Sequence, residues 1–215
     1  MLTNMTPGEI AFLDYCENNG IISEKIPEDN INKTPDFKVY FNEKAVAVIE
    51  VKDFNDNDCE QKAIKDFNDG KMSSWGGTIG ERYQQKIRDG KKQLKQYKNS
   101  ELVRILLIYD NRDILTRTND EYEISIAMYG FETRYPNHNG IKKIFGHDKM
   151  MKENEKTYIS YVGILNDSGK LLLYENFYAK DKFSFPENQR ILKADVFRLA
   201  QHPKKQLSGW KLLTE

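Results

Sequence analysis

Residues 34–52 read TPDFKVYFNEKAVAVIEVK, and this stretch decides the fold. Apolar residues alternate or run together over Phe37–Phe41 and Ala45–Val51, while Asn42–Lys44 between them is polar and typical of a turn. The pattern predicts a β-hairpin. Its second strand is apolar on both faces, which is typical of a strand near the centre of a sheet.

Three charged residues stand at the open end of this hairpin. Residues two apart on a strand point to the same face, so Glu50 and Lys52 are expected to project together. If the turn has three residues, Asp36 lies opposite Glu50 and shares that face; if it has two, Asp36 points to the other face. The sequence permits both registers. In the first, two carboxylates lie close enough together to call for a hard divalent cation.

A helix is predicted ahead of the hairpin. Residues 6–9 (Thr-Pro-Gly-Glu) combine a hydroxyl cap, a proline at the first helical position and a glutamate at the reciprocal position of a capping box. The sequence Asn-Asn-Gly over 18–20 is expected to end this helix. Its predicted apolar face consists of Ile10, Phe12, Leu13 and Cys16.

The rest of the chain adds elements of both kinds. Residues 53–80 are rich in Asp, Asn, Gly and Ser and predict a long loop with a short helix inside. The later elements are predicted to be a helix from about Glu81 to Lys98, strands over 102–109 and 122–129, a polar interlude over 132–156, a hairpin over 158–174 and a helix over 188–201. This order indicates an α/β fold with a mixed sheet flanked by helices. We expect one domain, with a core over about 6–130 and a C-terminal elaboration of hairpin and helix over 131–215.

The long helix combines an apolar stripe with a local excess of basic residues. Its predicted stripe consists of Tyr83, Ile87, Gly90, Leu94 and Tyr97. Over residues 82–98 seven basic residues stand against one acid, Asp89. The whole chain has 33 basic and 33 acidic residues, so any nucleic-acid surface has to be local, and this helix is the candidate.

Composition excludes several classes of protein. Hydrophobic residues make up 39% of the 215 residues, which is enough for a core and argues against wholesale disorder. The apolar runs are too short to span a bilayer and the first residues do not resemble a secretory signal, so we expect no membrane association. The two cysteines exclude a disulfide scaffold and a four-cysteine metal cluster, and they suit a reducing cytoplasm.

Two motifs together resemble a known family. Pro35-Asp36, thirteen intervening residues and then Glu50-Val51-Lys52 resemble the signature of the PD-(D/E)xK nuclease superfamily, which has the restriction-endonuclease-like fold. Residues 93–97 (Gln-Leu-Lys-Gln-Tyr) resemble the Gln-x-x-x-Tyr motif of its RecB-like branch. The resemblance covers roughly residues 6–110. The chain departs from many RecB-like members in lacking four cysteines for an iron–sulfur cluster.

The resemblance implies a metal-dependent deoxyribonuclease that uses Mg²⁺ or Mn²⁺. Asp36 and Glu50 would ligate the metal, with the backbone carbonyl of Val51 as a further ligand and Glu9 as an accessory acid. Lys52 would position or deprotonate the attacking water. The residues expected in supporting roles are Gln93 and Tyr97 on a shared helix face, and Arg82, Lys86 and Lys92 on nucleic-acid phosphates.

The implied partner is DNA, with RNA left open, in a cytoplasmic setting of phage defence, restriction or repair, where a homodimer or a defence-system partner protein would fit. Other interpretations of the same residues stay open. Glu9 could serve only the capping box, and Asp36 could simply start a turn. A second hypothesis keeps the fold without cleavage, as a nucleic-acid-binding or protein-interaction module whose working surface is the aromatic-rich segment 158–213.

Overall fold

The computed structural model describes residues 5–27, 34–74, 76–117, 120–138, 140–147, 149–203 and 210–214. The helices in this part of the chain are α1 (Pro7–Asn19), α2 (Asp58–Asn68), α3 (Glu81–Lys95), α4 (Asp120–Tyr129) and α5 (Phe185–Ile191). The strands there are β1 (Ile22–Lys25), β2 (Phe37–Phe41), β3 (Lys44–Phe54), β4 (Val103–Asp110), β5 (Phe131–Asn137), β6 (Gly140–His147), β7 (Tyr161–Leu165), β8 (Leu171–Glu175), β9 (Asp195–Leu199) and β10 (Trp210–Leu212). None of these helices has the length and apolar character needed to cross a bilayer.

Eight of the described strands form one mixed sheet. Their order is β1-β2-β3-β4-β7-β8-β9-β10, while β5 and β6 pair only with each other. The pairs β3–β4, β4–β7 and β8–β9 are parallel and the other pairs in the sheet are antiparallel. This confirms the mixed α/β fold with flanking helices. The segment expected as an elaboration, 131–215, contributes four strands to the same sheet.

A hydrophobic core lies on each face of the sheet. Phe12 of α1 packs with Ile49 on one face, and Ile87 of α3 packs with Val48 on the other. Strand β3 is therefore covered on both sides, as its apolar sequence predicted. Because side chains alternate along a strand, the even-numbered positions of β3, which include Glu50, face α3.

The turn between β2 and β3 has two residues. Asn42 and Glu43 both have positive φ, 49° and 65°, which is typical of a type I′ turn and matches the right-handed twist of the strands. Phe41 accordingly pairs with Lys44. Taken alone, this register would turn Asp36 away from Glu50.

A β-bulge reverses that outcome. The pairing shifts by one residue between Val39 and its neighbour Tyr40, and beyond the shift Phe37 pairs with Ile49. The next position towards the open end therefore places Asp36 opposite Glu50. The structure adopts the two-residue turn and still brings the two acids to adjacent positions.

The prediction of a strand over 122–129 is wrong, because this segment belongs to helix α4. Ile124, Ala127 and Met128 are buried at helical spacing and pack in the same core as α3. Over so short a segment, partial alternation and helical spacing share several positions. Packing against α3 decides between them.

Two later segments also differ from expectation. Residues expected to form a polar interlude hold the antiparallel pair β5 and β6, in which Asn137 pairs with Gly140. The helix expected over 188–201 is only the short α5, after which strand β9 joins the sheet between β8 and β10. Val196 and Leu199 of β9 fill the two cores, so sheet pairing overrides the helical pattern there.

The helices expected before and after the hairpin are both present, but the buried residues of the first and the end of the second differ from the prediction. Helix α1 begins and ends as predicted, but Ile10 is 46% exposed and Tyr15 takes a place in the core instead. Helix α3 ends at Lys95, earlier than expected. Its buried residues, Tyr83, Ile87, Gly90 and Leu94, confirm four members of the predicted stripe.

Gly90 allows α3 to pack directly on the central strands, and this close approach predicts a sensitive position. A Cβ there would overlap Cδ1 of Leu106, which is fully buried, and would lie 3.3 Å from Cγ of Glu50. We expect Gly90→Ala to lower the free energy of unfolding by about 1–3 kcal/mol, although alanine favours helices. Urea unfolding measures this, with Asp89→Ala as the exposed control on the same helix. A Gly90→Ala protein at least as stable as the wild type would contradict the packing.

Candidate active site

Glu50 lies near the end of the central strand β3, beneath α3. Its side chain is only 1% exposed. Oε1 is ion-paired with Nζ of Lys52, which confirms that the two residues share a face. Oε2 is buried and has no hydrogen-bond partner among the described residues. A buried carboxylate oxygen without a partner is costly, so this position favours the binding of a positive group.

Asp36 stands beside Glu50 at the start of β2. Its backbone N–H donates to the carbonyl of Ile49 at 3.0 Å, and its Oδ2 accepts a hydrogen bond from the N–H of Val51 at 2.7 Å. The N–H and C=O of one strand residue point to the same edge, so the Val51 carbonyl also faces the side of Asp36. The expected ligands Asp36, Glu50 and Val51 therefore meet at one end of the hairpin.

Glu9 reaches the same end of the hairpin from α1. Its Oε2 accepts from the N–H of Thr6 at 2.9 Å, which completes the predicted capping box, and its Oε1 accepts from Nζ of Lys25 at 2.6 Å. Its carboxyl also lies within hydrogen-bonding reach of Asp36. Glu9 is thus both a cap and a member of the acid cluster. Its role as a metal ligand stays a prediction, and both of its oxygens already have partners.

The three acids carry different pKa shifts. Burial, followed by the negative charge of Asp36, raises the pKa of Glu50 to about 8 despite the Lys52 ion pair. Burial also raises the pKa of Asp36 to about 6, against the hydrogen bond from Val51. Burial works in the same direction on Glu9, but the bonds from Lys25 and Thr6 outweigh it and hold the pKa of Glu9 below its usual range. The charge of Lys52 and the hydrogen bond from Val51 thus do not offset the burial of Glu50 and Asp36, so a further positive charge beside them would be favourable.

Asp53 fixes the position of α1 relative to this site. Its Oδ1 accepts a hydrogen bond from the N–H of Gly8 at 2.6 Å, at the start of the helix. A Cβ on Gly8 would lie 2.7 Å from this oxygen and 3.0 Å from Cγ1 of Val51, so only glycine permits the approach. Asp53 was not among the residues predicted from the sequence. Period-two spacing from Val51 was the available signal, since it places Asp53 on the face that α1 covers.

Lys86 and Gln93 lie on the flank of α3 that faces the site. Burial lowers the pKa of Lys86, and the charges acting on this ammonium include Asp53 and Lys52. Gln93 follows Gly90 by almost one turn, and its Oε1 is buried without a hydrogen-bond partner in the part of the chain that the structure describes. Both residues share the helix face of Gly90, which packs against Glu50.

The other three predicted residues are placed differently: Tyr97 lies beyond the end of α3, Arg82 is bonded to Glu60 and Lys92 is exposed. Tyr97 follows the end of α3 in a turn, so the expected shared helix face with Gln93 is wrong in its strict form. Arg82 bonds Glu60 at 2.7 Å and also the carbonyl of Asn55, and it thereby ties α3 to α2. Lys92 is exposed on the outer face of α3. Contacts of these residues with nucleic acid stay predictions.

The donor set suits a hard divalent cation with a large water shell. Among the described residues, no three His, Cys, Asp or Glu side chains are already grouped around a common point as metal ligands. Mg²⁺ is typically held through one or two carboxylates while it keeps several waters. Asp36 and the partnerless Oε2 of Glu50 meet that requirement with oxygen donors, which Mg²⁺ and Mn²⁺ prefer.

Comparison with known protein families, curated proteins and solved structures finds no match. The site is therefore interpreted from its own geometry. Two acids with raised pKa values stand next to a lysine where the pairing of β2 with β3 ends, and a basic helix flank lies alongside. This arrangement can hold a cation and a phosphate next to each other.

Proposed function

We propose that the chain is a Mg²⁺- or Mn²⁺-dependent nuclease that hydrolyses phosphodiester bonds in DNA, on the restriction-endonuclease-like fold of the PD-(D/E)xK superfamily. The observation that carries the proposal is the carboxylate of Glu50, buried beside Asp36 with one oxygen unpartnered among the described residues. Structural ion pairs normally satisfy both oxygens of a buried carboxylate. A buried carboxylate with one oxygen unpaired, next to a second acid, is better suited to binding a cation than to a purely structural role.

Asp36 and Glu50 would hold the metal, with the Val51 carbonyl on the same edge of β3. When bound, the metal would neutralise charge on the scissile phosphate and lower the pKa of an attacking water. Both carboxyls would be ionised in that state, because their pKa values fall when a positive charge stands next to them. The bond from the Val51 N–H fixes Oδ2 of Asp36, so the orientation of this carboxyl is set before substrate binds.

Lys52 would act on the attacking water. Its Nζ is held by Oε1 of Glu50, and its side chain is 25% exposed, so the ammonium lies between the buried acid and the open side of the site. From there it can orient a water by hydrogen bonding or exchange a proton with it at Nζ. Lys86, on the neighbouring flank of α3, would contact a phosphate, and exposed Lys92 would contact another.

A cleavage assay tests the proposal. We expect supercoiled plasmid to be cut in Mg²⁺ or Mn²⁺ and to stay intact in EDTA, and we expect Asp36→Asn to abolish cutting. Asp14→Asn, an exposed acid on α1, is the matched control and should cut like the wild type. Metal-dependent cutting that survives Asp36→Asn would reject the site. RNA in place of plasmid in the same assay decides which nucleic acid is the substrate.

The alternative of a non-cleaving module loses much of its expected surface. Tyr161, Tyr174 and Phe183, three of its aromatic residues, are buried in the cores. Phe177 is partly exposed at 36%, next to Tyr178 and His202. Salt-sensitive DNA binding with no cutting under any metal would favour this alternative.

A further inference from the structure

A second basic surface lies beside α3, in a cavity of about 810 Å³. Arg88 and Lys91 of α3 form one wall, and Lys149, Lys152 and Lys156 form another. Glu81 also lines the cavity, and Glu155 lies 3.3 Å from Lys152 and 3.9 Å from Lys156. Five cations thus face two acids, so the cavity has an excess of positive charge.

This cavity is separate from the candidate active site. Lys86 faces the site, and Arg88 follows it by two residues, which turns its side chain by about 200° around the helix axis. The two basic regions therefore lie on opposite flanks of α3. None of the acids that form the candidate metal site lines the cavity.

Lys156 shows that the positive charges crowd one another. It is half-buried, and its Nζ donates to the carbonyl of Met150 at 2.7 Å, which fixes the ammonium in the cavity wall. Burial lowers its pKa, and the nearby charges of Lys91, Lys152 and Arg88 act in the same direction. Several positive charges that line one cavity favour the binding of an anion between them.

Apolar groups complete the cavity. Phe131 at the start of β5 is 37% exposed and Ile79 is 50% exposed, and both residues line the cavity. The exposed part of the Phe131 ring adds an apolar surface beside the cations. A nucleotide carries both a phosphate for the cations and a flat base for the ring, and base stacking on aromatic side chains is common in proteins that bind single strands.

We propose that this cavity binds a nucleotide of a single-stranded nucleic acid, with its phosphates on Arg88, Lys91 and Lys156 and its base against Phe131. The volume lies within the range of sites that hold molecules of this size. The open outer side allows a chain to enter and leave. The site goes beyond the proposed cleavage function and does not depend on it.

Binding of a labelled oligothymidylate of about eight nucleotides, measured by fluorescence anisotropy in EDTA, tests the proposal. We expect Arg88→Gln/Lys91→Gln to weaken binding at least about tenfold and to make the salt dependence shallower by about 1.4 in log–log slope, since each phosphate contact on a single strand contributes about 0.7. Lys62→Gln/Lys65→Gln on α2 removes the same charge at exposed positions outside the cavity and should bind like the wild type.

Further measurements distinguish a nucleic-acid strand from an abasic backbone and from a free nucleotide as the ligand of the cavity. An abasic oligonucleotide of equal length should bind at least about fivefold more weakly, because a stacked base contributes about 1–3 kcal/mol. Lys149→Gln/Lys152→Gln should repeat the loss from the opposite wall. Unchanged affinity and salt slope in both cavity variants would overturn the site. Thymidine monophosphate competing as well as the oligonucleotide would overturn the assignment to a strand in favour of a free nucleotide.

Discussion

We expect Lys52→Ala to slow metal-dependent cleavage by about 10²–10⁴-fold, the usual contribution of a positioned proton-transfer group. The substitution removes the only ammonium paired with Glu50 in the described structure and leaves the buried strand otherwise intact. Initial rates on supercoiled plasmid at saturating Mg²⁺ measure the effect. DNA affinity should change far less, since a single phosphate or water contact is lost from a larger surface.

Two further variants show how the loss of cleavage rate in Lys52→Ala arises. Lys44→Ala, at the exposed far end of the same strand, is the matched control and should cut at the wild-type rate. Lys52→Arg separates the two roles of the lysine, because arginine stays protonated and can orient a water but cannot accept its proton. Recovery in Lys52→Arg indicates orientation, and continued loss indicates proton transfer. A Lys52→Ala protein that cuts as fast as the wild type would remove Lys52 from the mechanism.

The local part of the site could be predicted from the sequence. The positions of Glu50 and Lys52 on one face follow from the two-residue period of a strand, and the burial of β3 follows from its apolar run. The capping box of Thr6 and Glu9 likewise depends only on residues three apart. Each of these inferences needs only neighbouring residues, and the structure confirms each one.

The register of Asp36 could not be predicted in the same way. It depends on a two-residue turn and on a bulge in β3 opposite the step from Val39 to Tyr40, and each shifts the pairing by one residue. The two shifts cancel. Asn42-Glu43 lacks the glycine that usually marks a type I′ turn, and no residue type marks the bulge, so neither feature has a clear local signal.

Contacts between distant residues account for most of what was missed. The bond from Gly8 to Asp53 joins residues 45 apart, and the ion pair of Glu9 with Lys25 depends on how β1 lies against α1. The walls of the basic cavity come from α3 and from residues 149–156, and only the folded chain brings these together. The helix α4 was mistaken for a strand for the same reason, since its packing partner lies on α3.

The second large effect concerns stability, and its sign follows from the raised pKa values. The pKa of Glu50 is about 8 in the folded chain against 4.5 for an ordinary glutamate, so the folded state holds a proton that the unfolded state releases. Its contribution to stability is complete below about pH 4.5 and is lost as the pH rises through 8. Asp36, with a pKa of about 6 against 3.8, acts in the same direction at lower pH. Without divalent metal, the wild type should therefore lose stability from pH 5 to pH 9.

Glu50→Gln removes the group that ionises at high pH. Substitutions in a core usually lower the free energy of unfolding, but this one should raise it at high pH. One pKa unit corresponds to about 1.4 kcal/mol, and the pKa of Glu50 lies about 3 units above pH 5, so the ionisation of Glu50 should cost the wild type about 4 kcal/mol between pH 5 and pH 9. In EDTA we therefore expect the variant to match the wild type within about 1 kcal/mol at pH 5 and to exceed it by about 3–4 kcal/mol at pH 9. Mg²⁺ at a hundred times its dissociation constant should stabilise the wild type by about 2.7 kcal/mol and leave Glu50→Gln almost unchanged. Urea unfolding at both pH values, with and without metal, measures all four quantities, and Glu101→Gln is the exposed control. If wild-type stability is flat or rises from pH 5 to pH 9 in EDTA, Glu50 is already satisfied by Lys52, and the case for a cation at its second oxygen fails.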